Sequence, residues 1–296
     1  MKFLKLNKKL RLILYYLIPI IVISYLFVYK VDIDQLNDVI SKISVYSILL
    51  GVILYGLIIF LKYKRLERFI RIKLNKEDFY FLVNYNFYLN ILPFKTGELL
   101  LISFLKNKGK GIKSAIKEFM YLRFYDVLAI FLISLFIILI NLNTIMGLFD
   151  INFFLLFFAL LFISIVVGVL FIHKKILRLL SKIRIKVLLL TLVIWALQYS
   201  FGLIIFKELK VILPLNKILL GQTLNLVFSA LPINTFVNIG IFELSWTLVF
   251  EKLGLSSSLS ASSGLAAHLL IIIGMIIFTL FVYLIRVIWK IQRHEN

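Results

Sequence analysis

The chain has 296 residues, of which 62% are apolar and 16% charged, and its 34 Lys and Arg against 14 Asp and Glu give a net charge of +20. No soluble fold buries so large an apolar fraction, so an all-α, polytopic integral membrane protein is predicted. The basic residues stand between long apolar stretches, which favours a role in membrane orientation over nucleic-acid binding. With no cysteine and only three histidines, we expect no metal site and no cofactor.

Six segments are long and apolar enough to cross a bilayer as helices, which takes roughly 20 residues each. The first follows a basic stretch but lacks the small residues of a signal-peptidase site, so we predict a retained helix. The six predicted spans are residues 12–29, 45–61, 119–140, 152–172, 187–206 and 262–285. Between the first two spans, the apolar spacing of residues 31–44 predicts a short amphipathic helix on the outer surface.

Two further apolar regions, residues 79–105 and 218–250, are each interrupted by a break. Each break carries a proline and a glycine, which are Pro93 and Gly97 in the first region and Pro232 and Gly240 in the second. Either region is too long for one helix that contains a proline, and too short for two crossings, which need about 40 residues. The sequence therefore predicts two re-entrant hairpins.

The distribution of Lys and Arg predicts the orientation, because cytoplasmic loops are enriched in basic residues. Seven of them in residues 62–78 and five in residues 106–118 flank the first broken region, so that hairpin opens to the cytoplasm. The weakly charged residues 207–217 and 251–261 flank the second region, which then re-enters from the outside. In this topology 26 basic residues lie inside and six outside, with both termini on the cytoplasmic side of the cell membrane.

The predicted elements occur twice in the same order, which is span, span, hairpin and span. Residues 1–148 form the first membrane repeat and residues 149–296 the second. Each unit has three crossings, an odd number, so the second unit is inverted relative to the first. Inverted repeats with broken helices that meet near the middle of the membrane are found in many secondary transporters, where the breaks line the substrate site.

Six ionisable side chains fall within the apolar segments, where charge is costly and a functional role is the default hypothesis. They are Lys95, Glu98, Arg123, Asp126, Glu243 and His268. At the first break, Lys95 and Glu98 are predicted to form a polar site, or Glu98 caps the half-helix that follows. Arg123 and Asp126 share a helical face at a spacing of three, which fits either a structural ion pair or a guanidinium that binds phosphate.

The second break and the last span contribute one acidic and one titratable residue. Glu243 has no basic neighbour in the sequence, so it is either a proton carrier or a second helix cap. His268 fits a hydrogen-bonded packing role or a group that titrates near neutral pH.

The stretch from Leu92 through Pro93, Gly97 and Glu98, followed by a basic loop and Arg123-Phe124-Tyr125-Asp126, resembles the LPxxxGE…RxxD signature of the lysylphosphatidylglycerol synthase membrane-domain family. A second signature of that family is similar to the run from Pro232 through Gly240 to Glu243, with His268 where the family often has a basic residue. The resemblance covers nearly the whole chain. It implies a flippase-like membrane domain with these residues at its substrate site.

From these features we expect a translocase that moves a phospholipid or a polyprenyl-phosphate-linked lipid between leaflets. The partners expected are membrane lipids, including an anionic or polyprenyl-phosphate substrate, and no nucleic acid; a homo-oligomer is left open. Neither the aminoacyl-transferase nor the glycosyltransferase domain of such relatives is in this sequence, so we do not expect it to synthesise the lipid. Two alternatives stay open, which are an intramembrane lipid-modifying enzyme and a non-catalytic membrane partner of a soluble transferase.

Overall fold

The structure, a computed structural model, describes residues 8–91, 97–109, 111–144, 184–229 and 240–294. Those ranges contain ten α-helices and no strand, which confirms the predicted all-α class. The helices are α1 (Lys8–Tyr29), α2 (Ile33–Ser41), α3 (Val45–Ile70), α4 (Lys76–Ile91), α5 (Glu98–Asn107), α6 (Ile112–Ile140), α7 (Ile185–Glu208), α8 (Leu215–Ser229), α9 (Ile241–Lys252) and α10 (Ser257–His294).

Four of the described helices, α3, α6, α7 and α10, are long and apolar enough to span a bilayer. The shortest, α7, has 24 residues, or about 36 Å at 1.5 Å per residue, against a hydrocarbon core of about 30 Å. These helices contain four of the predicted spans, residues 45–61, 119–140, 187–206 and 262–285. The predicted span 152–172 lies outside the described residues. Within α1 the apolar helix Ile20–Tyr29 is shorter than a span, so the first span stays a prediction.

The long helices are apolar on their outward faces and carry polar groups on their inward faces. On α10, Leu280, Phe281 and Leu284 are each more than half exposed. Buried positions of the described chain are mostly apolar but also hold polar side chains, such as Asp126, Thr191, Gln222, Thr223, Asn225, Glu243 and His268. An apolar exterior over an interior that also holds polar groups is typical of helices that lie in lipid.

Helix α3 is longer than the sequence predicted. The predicted span ends at residue 61 and is followed by a basic loop, whereas α3 continues to Ile70. Its buried stripe runs through Tyr55, Ile58 and Ile59 and continues through Arg65 and Leu66 at the same helical spacing. Within this extension the charge of Arg65 is compensated by a residue of another helix, and a local count of basic residues does not detect such a partner.

The short helix α2 confirms the helix predicted within residues 31–44. The side chain of Asp32 caps it by accepting hydrogen bonds from the backbone N–H groups of Asp34 and Gln35. Val39 is buried and Ile33 is exposed, so the helix has one packed face.

Helices α4 and α5 form an antiparallel pair. Lys108, which follows α5, is ion-paired at 2.7 Å with Asp78 in the first turn of α4. At the opposite end of the pair, Gly97 lies against the backbone of Leu89, where an added Cβ would be 2.8 Å from Leu89 Cα. With 16 and 10 residues, neither helix is long enough to cross about 30 Å of hydrocarbon.

Helices α8 and α9 form a second antiparallel pair. The Ser245 hydroxyl on α9 donates a hydrogen bond to Asn225 Oδ1 on α8. One turn earlier on α8, Gly221 leaves room for the ring of Phe250, which an added Cβ would approach to 2.5 Å. These helices have 15 and 12 residues, so they too are shorter than a crossing.

The two halves of the described chain meet where α3 packs against α7 and α10. An added Cβ at Gly274 of α10 would lie 3.1 Å from the carbonyl oxygen of Gly51 on α3. Small residues allow helices in membranes to approach each other this closely. The close packing holds both short pairs around a common interior.

Candidate functional site

Four charged side chains from three helices form a continuous series of ion pairs, which we call the charge chain: Arg65, Asp126, Arg123 and Glu98. Arg65 Nη1 lies 2.5 Å from Asp126 Oδ1. Arg123 Nη1 lies 3.2 Å from Asp126 Oδ2, and Arg123 Nη2 lies 2.8 Å from Glu98 Oε1. Each group therefore has an opposite charge beside it, which lowers the cost of placing four charges inside a membrane protein.

Local sequence explains three members of the charge chain. Arg123 and Asp126 are three residues apart on α6, so they share one face, and the ion pair proposed for them is present. Glu98 lies in the first turn of α5, where the helix dipole favours a carboxylate, and it also reaches Arg123. The fourth member, Arg65, was not predicted as a site residue, because it falls among the basic residues of a predicted loop.

Further hydrogen bonds fix the charge chain to neighbouring helices. Arg123 Nη2 donates to the hydroxyl of Tyr85 on α4 at 3.1 Å. On α7, the indole Nε1 of Trp195 donates to Asp126 Oδ1 at 3.4 Å. Side chains from all of α3 to α7 thus meet around two guanidinium groups and two carboxylates.

A cavity of about 510 Å³ lies beside the charge chain, within the size range of small-molecule sites. Its wall includes residues from every helix from α3 to α10, so both antiparallel pairs contribute to it. All four members of the charge chain line it. The neutral polar residues in its wall include Asn86, Asn90, Gln198, Tyr199, Gln222 and Asn225.

Lys62 is a second basic residue of this site that the sequence analysis missed. It lies almost one turn before Arg65 on α3 and lines the same cavity. Its Nζ donates a hydrogen bond to Asn86 Oδ1 on α4 at 2.8 Å. The helical spacing of Tyr55, Ile58, Lys62 and Arg65 indicates this position in the sequence. It places both basic residues on the same helix face as the apolar residues of the predicted span.

Glu243 and His268 form a separate buried pair between α9 and α10. His268 Nδ1 lies 2.6 Å from Glu243 Oε1, and the other carboxylate oxygen accepts a hydrogen bond from the backbone N–H of Gly240 at 2.6 Å. Glu243 therefore makes the contact of a helix cap, one of the two roles predicted for it, and it also contacts a residue that is distant in the sequence. Phe242 covers the pair, with its ring centroid 4.7 Å from that of His268, and it is Phe242 that lines the cavity.

The residues predicted at the two breaks are described only in part. Lys95, Pro93 and Pro232 lie outside the described residues. Gly97 and Gly240 directly precede α5 and α9, so each break ends where a short helix begins. Gly240 has a φ of 90°, a left-handed conformation that favours glycine.

Five of the six predicted site residues are described, and they divide into two groups; the structure tests the binding role of neither. Glu98, Arg123 and Asp126 line the cavity, while Glu243 and His268 lie behind Phe242. Among the described residues, no group of three or more His, Cys, Asp or Glu is placed to hold a metal ion.

An apolar exterior, helices long enough to span a bilayer and a charged interior cavity define a helical integral membrane protein. The model of the family described as the lysylphosphatidylglycerol synthase TM region matches residues 10–279, and the chain belongs to that family. The family predicted from the two sequence signatures is therefore confirmed, and it indicates a function connected with membrane lipids. No curated protein and no solved structure matches the chain.

Proposed function

We propose that the protein is a lipid translocase that moves a phospholipid or a polyprenyl-phosphate-linked lipid between the two leaflets of the cell membrane. The observation that carries this proposal is the cavity, which is lined by the charge chain and by both pairs of short helices. A polar interior inside an apolar exterior offers a headgroup a path through the hydrocarbon while the acyl chains stay in lipid.

The lengths and contacts of the short helices support re-entry into the membrane. Antiparallel helices that are each shorter than a crossing bring the chain back to the side from which it entered. The basic flanks of residues 79–105 favour a first hairpin that opens to the cytoplasm, and residues 218–250 then form a second one that opens to the outside. Both termini are cytoplasmic in this arrangement.

A matching pair of acid–base contacts supports the inverted repeat of residues 1–148 and 149–296. Glu98 pairs with Arg123, and Glu243 pairs with His268; the partners are 25 residues apart in both cases. Each acid lies in the first turn of the second helix of a short pair. Each basic partner is the twelfth residue of the long helix that follows. A repeated unit would produce this correspondence, since acid and base would occupy equivalent places in both halves.

Translocation of fluorescent phospholipid in proteoliposomes, read by dithionite bleaching of the outer leaflet, tests the proposal. We expect a rate above that of protein-free vesicles, and a lower rate for Glu98→Gln, which weakens the contact with Arg123. The matched control is Glu77→Gln in the first turn of α4, which removes a surface ion pair with Arg286. A purified, folded protein that moves no lipid faster than empty vesicles would contradict the proposal.

A further inference from the structure

The charges that line the cavity do not cancel. The charge chain contains two guanidinium groups and two carboxylates, so its net charge is zero. Lys62 contributes a fifth charge, and its ammonium is hydrogen-bonded to Asn86 Oδ1, a neutral acceptor. Among the described residues, no carboxylate forms an ion pair with Lys62. The described wall of the cavity therefore carries one positive charge that no side chain compensates.

An uncompensated ammonium inside a membrane protein favours the entry of an anion. Leaving a charge without a counter-charge is costly in this environment, so an anion that reached Lys62 would remove that cost. An ammonium has three donors, and the hydrogen bond to Asn86 occupies one of them. Hydrogen bonds between an ammonium and a phosphate are among the strong ones, because both partners are charged.

The rest of the polar wall is neutral. Gln198, Tyr199, Gln222 and Asn225 offer amide and hydroxyl groups, which suit the hydroxyls of an uncharged headgroup. The Nε2 of Gln222 is buried and has no hydrogen-bond partner among the described residues. The carboxylates that line the cavity are already paired with the two arginines, so a cationic headgroup would meet Lys62 without gaining an anionic partner.

We propose that the cavity selects a lipid whose headgroup carries one net negative charge on a phosphodiester, and that Lys62 pairs with this phosphate. The cavity accordingly discriminates against lysyl-esterified lipids, whose two added ammonium groups make the headgroup cationic. This inference rests on the proposed function, since it takes the cavity as the lipid pathway. It also departs from the lipid for which the family is named.

A comparison of two lipids that differ by one lysyl group, and therefore in headgroup charge, tests the inference. Fluorescent phosphatidylglycerol and its lysyl ester are reconstituted separately, and translocation rates are compared. The wild-type protein is expected to move phosphatidylglycerol at least about tenfold faster, because the lysyl ester keeps the phosphate but adds ammonium groups that find no free carboxylate in the described wall. Equal rates, or a faster rate for the lysyl ester, would overturn the inference and leave the translocase intact.

Substitution of Lys62 isolates its part in this selectivity. Lys62→Met is expected to translocate phosphatidylglycerol at least about tenfold more slowly than the wild-type protein. Lys62→Arg keeps the charge and is expected to keep most of the translocation rate. The matched control is Lys64→Met, since Lys64 lies on the same helix but pairs with Glu67 on its exposed side. Size-exclusion profiles and unfolding temperatures identify variants that fail to fold, and the wild-type lipid preference remains a test that needs no variant.

Binding separates this inference from the proposed function. Native mass spectrometry measures phosphatidylglycerol retained by the wild-type protein and by Lys62→Met. Retention that depends on Lys62, without translocation of any lipid, would refute the translocase and support the anion site. Release of bound lipid by millimolar glycerol 3-phosphate or inorganic phosphate would identify a water-soluble phosphate as the ligand and overturn the lipid assignment. A Lys62→Met protein with unchanged retention and rate would overturn the anion site itself.

Discussion

Arg65 Nη1 on α3 lies 2.5 Å from Asp126 Oδ1 on α6, and 61 residues separate the two in the sequence. Asp126 also pairs with Arg123, so one buried carboxylate serves two guanidinium groups. Removal of that carboxylate leaves Arg65 without an anionic partner, whereas Arg123 keeps Glu98. The stability of the interior therefore depends on Asp126 more than on either end member of the charge chain, Arg65 or Glu98.

Replacement of Asp126 by Asn is expected to lower the free energy of unfolding by about 3–5 kcal/mol, because it leaves a buried guanidinium unpaired. Denaturation in mixed micelles measures this change. The matched control is Asp38→Asn, which breaks the exposed pair with Lys42 and should cost below about 1 kcal/mol. Equal losses for the two variants would contradict the structural importance of Asp126.

Combining Asp126→Asn with Arg65→Met is expected to cost less than the sum of the two single changes, since the double variant buries no unpaired Arg65. Residues in direct contact show coupling of about 0.5–3 kcal/mol in such cycles. The same denaturation experiment measures all four proteins. Strict additivity would show that the two residues act independently.

Glu243 is expected to tolerate Gln better than Ala. Gln keeps one oxygen that accepts from the Gly240 N–H and places an amide N–H beside His268 Nδ1, whereas Ala leaves both groups without this partner. We expect Glu243→Ala to be less stable than Glu243→Gln by about 1–3 kcal/mol, the cost of an unsatisfied buried polar group. Thermal unfolding in detergent measures the difference. The control Glu251→Ala removes a partly exposed contact with Lys30. Similar losses of stability in Glu243→Ala, Glu243→Gln and Glu251→Ala would refute the role of Glu243 as a buried partner of Gly240 and His268.

Gly97 is expected to be intolerant of any side chain. A Cβ there would lie 2.8 Å from Leu89 Cα, so Gly97→Ser must separate α4 from α5 and is expected to cost about 1–3 kcal/mol. Gly111→Ser is a matched control, because Gly111 also precedes a helix and an added Cβ there meets nothing within 4 Å. Unfolding temperatures and translocation rates of the two variants are compared. Tolerance of both would show that the close approach at Gly97 is dispensable.

The two re-entrant hairpins predict which side of the membrane each flank faces. The sequence has no cysteine, so single-cysteine variants carry no background. Cysteines at Lys73 and Lys113 should react with an impermeant maleimide only from the cytoplasmic side, and cysteines at Lys207 and Lys252 only from the outside. All four positions are exposed. Opposite labelling within either pair would make that region a crossing and remove the inverted repeat.

Features that depend on local periodicity could be predicted from the sequence. Four spans were located by apolar length alone, and the glycines of the two breaks, Gly97 and Gly240, do precede short helices. The contact between Arg123 and Asp126 followed from their spacing of three. The family was recognised for the same reason, since its signatures are short runs of residues.

The sequence by itself determined that the chain is a helical membrane protein, because the length and hydropathy of a segment establish whether it suits a bilayer. Only the tertiary structure decided the partners of its charges. The sequence predicts that Arg65 and Lys62 belong to a basic cytoplasmic loop, whereas in the structure α3 continues through both. Their partners, Asp126 and Asn86, lie on other helices. Helix packing brings together residues that are far apart in the chain, and the cost of burying a charge depends on those neighbours.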